Sequence, residues 1–127
     1  KKIKKIVELF KDKRIRTSLF INPSLKDIKI ANEIGADCVE IHTGKFANLV
    51  KSRKNFQNEL KRIKKSSKFG NVIGLEIHAG HGLNYEATKI LSRVDEIKEF
   101  NIGHFIIGES VFFGIRKVIK NFKKILS

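Results

Sequence analysis

Val39-Glu40-Ile41-His42-Thr43-Gly44 and Leu75-Glu76-Ile77-His78-Ala79-Gly80 are two copies of one pattern, apolar-Glu-Ile-His-small-Gly, set 36 residues apart. Each reads as a strand that delivers its polar residues where it stops and then turns on glycine. A parallel α/β sheet builds a site along its carboxyl edge in this way. The separation suits one strand, one helix and their two loops, so the copies read as successive βα units. The remaining histidines follow the same habit: His81 lies between Gly80 and Gly82, and His104 closes Asn101-Ile102-Gly103-His104.

Ile3, Ile6, Val7 and Phe10 recur at helical spacing, and residues 1–11 are expected to form an amphipathic helix with lysines outside. Thr17 to Ile21 reads as a strand stopping at Asn22-Pro23. Ser24 with Asp27 opens a helix that runs to Gly35, and Cys38 to His42 is the next strand. Residues 43–54 are polar and glycine-bearing, and are expected to be a long substrate-facing loop. Phe56, Leu60 and Ile63 mark a helix ending near Lys68 and closed by Gly70. Val72 to Ile77 is the expected third strand, and His78 to Leu83 a glycine-rich turn. Asn84 caps a helix bearing Ala87, Ile90 and Leu91, and Phe100 to Gly103 is a fourth short strand. From His104 a short helix and then a longer one follow, broken near Gly114. The expected order is αβαβαβαβαα.

Strands alternating with helices imply a parallel sheet in a single domain. Glu40 with His42, and Glu76 with His78, each share one strand face, while Val39, Ile41, Leu75 and Ile77 point the other way. A polar inner face and an apolar outer face suit the lumen of a closed barrel. The expected fold class is therefore α/β, a parallel (β/α)8 TIM barrel. These 127 residues supply about half of it, four βα units plus an extra helix, with no second domain.

Composition sets the outer limits. A hydrophobic content of 41% is enough for a core. With no methionine and an opening inside a helical pattern, the chain is expected to be part of a longer product. No apolar run approaches the roughly 20 residues that span a membrane, so no membrane association is expected. The single cysteine, Cys38, lies inside an apolar strand and can form no internal disulfide, which points to a reducing, cytoplasmic setting. The net charge of +14 invites a nucleic-acid reading. Against it, 21 lysines outnumber 6 arginines and lie mainly on polar helix faces, whereas bidentate phosphate and base recognition favours arginine. A solvated surface that modestly attracts phosphorylated small molecules is the preferred reading, and no nucleic-acid partner is expected.

Three places carry candidate chemistry. His81 stands between glycines that let a ligand approach, and an imidazole can give or take a proton near neutrality, so it is the general acid-base candidate; the alternative is a histidine that ties its loop down. Gly103 and His104 precede a helix whose free amides suit a phosphate, or merely form a tight turn. Glu40, on the inner face, should either meet a histidine or lie near the wet mouth of the barrel. Glu76 and His78 carry the same ambiguity. The histidines and glutamates lack a compact ligand motif such as H-E-x-x-H, and no metal site is assigned.

Taken in order, Ser18-Leu19-Phe20-Ile21-Asn22-Pro23, Val39 to Gly44, Ala79-Gly80-His81-Gly82-Leu83-Asn84-Tyr85 and Asn101 to His104 resemble the pyridoxine 5'-phosphate synthase family of the deoxyxylulose-phosphate-dependent vitamin B6 pathway. The resemblance covers nearly the whole chain and implies the C-terminal half of a (β/α)8 barrel that assembles into homo-oligomers. It implies a ring-closing transferase that condenses 1-deoxy-D-xylulose 5-phosphate with 3-amino-2-oxopropyl phosphate, without a separate organic cofactor. By the same resemblance His81 is the proton donor, Gly82 contacts the amino-ketone phosphate, Gly103 and His104 are the phosphate-contacting pair, and Glu40 is an acidic residue of the active-site lining. The family's other acid-base groups come from the first half of its barrel. The competing expectations are a phosphate-binding half-barrel without turnover and, less favoured, a basic nucleic-acid-binding protein.

Overall fold

The computed structural model describes residues 2–127. The chain runs α1 (Lys2–Asp12), β1 (Ser18–Ile21), α2 (Leu25–Glu33), β2 (Cys38–His42), α3 (Gly44–Lys51), α4 (Gln57–Val72), β3 (Glu76–Gly80), α5 (Tyr85–Leu91), β4 (Ile97–Asn101), α6 (His104–Phe113) and α7 (Ile115–Leu126). The four strands form one parallel sheet in sequential order β1-β2-β3-β4. A doubly wound sheet reverses its strand order at a switch point, whereas a barrel adds each strand beside the last. The arrangement is α/β with the order of a barrel.

The two faces differ as the alternation requires. Val39, Ile41, Ile77 and Ala79 are fully buried and pack with Ile28, Phe46, Ile63, Ala87 and Leu91 from the helices in one core. Fully burying one of the Val, Ile, Leu or Phe side chains stabilises by about 1.5–3 kcal/mol. The opposite face carries Phe20, Glu40, His42, Glu76, His78, Glu99 and Asn101, the residues alternate to the core set. Cys38 is buried and free, its Sγ 3.4 Å from Thr17 O.

Several expectations are corrected. The supposed loop 43–54 contains α3, because Phe46, Ala47 and Val50 place a buried stripe at helical spacing among polar neighbours. Helix α4 does not end near Lys68 but runs to Val72, with Gly70 inside it. A Cβ on Gly70 would fall 2.6 Å from Ile77 Cδ1, so this glycine allows the helix to lie against β3 rather than stopping it. The chain turns at Gly74, with φ +91°, and β3 consequently begins at Glu76 instead of Val72 and absorbs His78, Ala79 and Gly80 from the expected turn. Strand β4 begins at Ile97, earlier than Phe100, its onset hidden in the sequence by the charged Lys98 and Glu99. Helix α2 is capped as expected, Ser24 Oγ accepting from Asp27 N at 3.4 Å, and α6 and α7 meet at Gly114.

At the amino edge of the sheet, the Asp37 carboxylate accepts from Thr17 N at 2.7 Å and from Thr17 Oγ1 at 3.0 Å. The Thr17 backbone N–H first, with its hydroxyl and the nearby Lys11 and Arg16, holds the Asp37 carboxyl below the ordinary range. A depressed carboxyl contributes stability that is present above the unfolded pKa and is lost as pH falls through the folded one. Asp37→Asn should therefore reduce the loss of stability seen on going from about pH 6 to pH 3. Urea midpoints of parent and variant at the two pH values check it, and parallel losses in the two proteins would refute it.

Candidate active site

The carboxyl edge of the sheet gathers three strand ends. At the end of β2, Thr43 is wholly buried. Its N–H donates to Gly80 O at 2.8 Å, and its Oγ1 lies 2.6 Å from Gly80 O and 2.9 Å from His81 O, its one hydrogen serving either acceptor. Thr43 thereby ties the end of β2 to the end of β3 just where the chain leaves the strand. His81 and Gly82 both adopt φ +77°. The left-handed region costs an L residue about 1–2 kcal/mol and persists only where surrounding bonds hold it, a pattern common at functional sites. Beyond this turn Asn84 Oδ1 accepts from Ala87 N at 2.8 Å and caps α5, fixing the far end of the loop.

Held this way, the exposed His81 ring stacks on His42 with centroids 4.5 Å apart and planes 25° from parallel. Phe20 of β1 approaches His42 at 5.2 Å and His81 at 6.2 Å. Helix α3 starts directly against this pair: a Cβ on Gly44 would fall 2.7 Å from both His42 Cε1 and His81 Cδ2. The glycine that ends the first repeated motif is thus a spacing requirement of the imidazole stack.

After β4 the chain enters α6 with Gly103 at the N-cap and no side-chain cap bond. A Cβ on Gly103 would meet nothing within 4 Å, so the approach to the first-turn amides is open. His81, Gly82, Gly103 and His104 line a single cavity of about 700 Å³, whose wall also includes His42 and Asn101. Four of the five residues singled out in the sequence therefore meet around one space.

Glu40 does not line that wall. It is half-buried on the inner face of β2, and its hydrogen-bond partner is Asn101, whose Nδ2 donates to Glu40 Oε2 at 2.8 Å, instead of a histidine. Spacing along the chain assigns Asn101 no role. Glu76 and His78 lie nearer the amino end of the same face. His78 is buried, with Nε2 2.8 Å from Glu76 Oε1 and Nδ1 3.6 Å from Glu99 Oε1, while Arg16 approaches Glu76 Oε1 at 2.6 Å. Hydrogen bonding from Arg16, then from His78, holds the Glu76 carboxyl below its ordinary range. This group is an ion-paired layer beneath the cavity and contributes nothing to its wall. Among the described residues no three His, Cys, Asp or Glu side chains converge as metal ligands, and no helix is long and apolar enough to cross a membrane.

The sequence over residues 1–127 matches the family described as "Pyridoxal phosphate biosynthesis protein PdxJ". Pyridoxine 5'-phosphate synthase of Pelagibacter ubique (strain HTCC1062) is 61% identical over 125 residues, which are 98% of this chain and 52% of the relative. The enzymes of the same name from Sulfurihydrogenibium sp. (strain YO3AOP1) and Blochmanniella floridana are each 42% identical, over 98% of this chain and 50% of their own length. The chain spans about half the length of these curated relatives, as half of a TIM barrel does. Two βα repeats in barrel order, a histidine-glycine turn and an open helix start around one cavity accompany that match, and the chain belongs to the PdxJ family of pyridoxal phosphate biosynthesis proteins.

Proposed function

We propose that residues 1–127 are the C-terminal half of a single (β/α)8 domain and carry half of the active site of a pyridoxine 5'-phosphate synthase. The enzyme condenses 1-deoxy-D-xylulose 5-phosphate with 3-amino-2-oxopropyl phosphate, closes the pyridine ring and releases inorganic phosphate and water. The observation that carries this reading is the convergence of His81, Gly82, Gly103 and His104 on one cavity at the carboxyl edge. In it the Gly103–His104 helix start and the Gly82 amide receive the amino-ketone phosphate, because a glycine admits close approach and the helix terminus presents unpaired N–H groups and a partial positive charge. Each dehydration needs a proton delivered to a departing hydroxyl, and His81 at the cavity wall delivers it. The Glu40 carboxylate, below the wall, favours the positive charge that develops on nitrogen as amine and carbonyl condense. No separate organic cofactor enters this scheme, and the remaining acid-base groups come from the other half of the barrel.

Other properties belong to the same reading. The exposed Ile107, Val111, Phe112, Phe113 and Ile115 around α6 form an apolar surface that supports homo-oligomer assembly. The buried, unpaired Cys38 fits a cytoplasmic setting, and the lysine-rich exterior favours small phosphorylated anions over nucleic acid. The test is a direct assay: the synthase containing these residues, given both substrates, should yield pyridoxine 5'-phosphate and inorganic phosphate in equal amounts. Tight binding of the amino-ketone phosphate without product would instead leave a phosphate-binding module.

A further inference from the structure

Glu40 and Asn101 belong to β2 and β4, which do not pair with each other; β3 runs between them. Their hydrogen bond therefore passes over β3, and it passes over Gly80, which is level with His42 on one side and Asn101 on the other. A Cβ built on Gly80 would overlap Glu40 Oε1 and fall 2.7 Å from Glu40 Cδ and 3.1 Å from Asn101 Cβ. The space left by the missing side chain is the seat of the carboxylate. The register that brings Asn101 there is itself specific. Ile77 pairs with Ile97 but His78 pairs with Glu99, so Lys98 is bulged out of the ladder, and if it paired in register Phe100 would stand level with Gly80.

We infer that Asn101 is a positioning residue for Glu40: its amide holds the carboxylate across Gly80, directly beneath the cavity whose wall Asn101 itself helps to form. The inference rests on the reading of the site given above. An amide suits the task because it donates without carrying charge, so the carboxylate keeps its field for a cationic intermediate, whereas a lysine or arginine would neutralise it. Displacement of a catalytic group by about 1 Å can cost on the order of 100-fold in rate, which sets the scale of the effect.

A double-mutant cycle in the active synthase tests it. Asn101→Leu, nearly isosteric but without a donor, should lower kcat by about 10–100-fold with KM for both substrates within about threefold of the parent. In the Glu40→Gln background the same change should alter kcat by less than about twofold, because the group being positioned is gone. Equal losses in both backgrounds, or no loss in either, overturn the inference. If Glu40→Gln is as active as the parent, the role given to Glu40 fails and the inference falls with it. If Glu40→Gln is impaired but uncoupled from Asn101, the inference alone fails. Should Asn101→Leu not fold, the crystal structure of Asn101→Ser decides: the Glu40 carboxylate should leave its seat over Gly80, and an unmoved carboxylate overturns the proposal.

Discussion

Replacing His81 by glutamine should leave the synthase folded and lower its turnover by about 10²–10⁴-fold, the usual contribution of a positioned proton donor. Glutamine preserves much of the bulk and some of the hydrogen bonding but cannot titrate. It also leaves untouched the ties that shape the turn, because Thr43 bonds to the backbone carbonyls of Gly80 and His81 and not to the imidazole. The φ of +77° is then required of glutamine as it was of histidine, and fold and substrate affinity should change little. Single-turnover kinetics on variant protein of parental thermal stability read the effect. Turnover within twofold of the parent would make His81 a structural member of the His42 stack and nothing more.

The 127-residue chain expressed as a separate polypeptide should make no detectable pyridoxine 5'-phosphate. Strands β1 and β4 each have only one neighbour in the sheet, leaving two rows of unpaired backbone groups. The inner face with Phe20, Glu40, Glu76 and Glu99 has no opposing strands, and Ile3, Ile6 and Phe10 of α1 are exposed beside β1. Such a sheet should associate or stay incompletely ordered, and the acid-base groups expected from the other half of the barrel are missing from its site. Light scattering and a product assay on the purified polypeptide check both parts. Adding a separately made N-terminal half should restore some turnover. Product from the 127 residues alone would show that His81 and Glu40 suffice and that the other half of the barrel supplies no essential acid-base group.

The repeated Glu-Ile-His motif makes much of this architecture legible in the sequence. The bounds of β2 are legible to the residue because Val39 and Ile41 alternate cleanly with Glu40 and His42, and the cavity-lining His81, Gly82, Gly103 and His104 all follow strand ends. What escaped has physical causes. Gly70 reads as a helix stop but is a packing glycine under Ile77, and that error moved the onset of β3 four residues too early. Helix α3 opens on Gly44, a poor helix former, and its apolar stripe of Phe46, Ala47 and Val50 covers little more than one turn. The pairing of Glu40 with Asn101 depends on the bulge at Lys98 and on empty space above Gly80. Neither is a local property of any motif, so neither could be read from spacing along the chain.

In the proposed site these strand ends meet around one substrate, with the amino-ketone phosphate anchored on the start of α6 and its reacting end beside His81. A crystal structure of the synthase with 3-amino-2-oxopropyl phosphate bound tests this arrangement most directly. The expected result is phosphate oxygens within about 3.2 Å of the Gly103 and His104 amides, and the carbonyl or amine of the ligand within hydrogen-bonding reach of the His81 ring. A ligand ordered elsewhere in the barrel, with the Gly82 turn and the α6 start ordered and unoccupied, would contradict it.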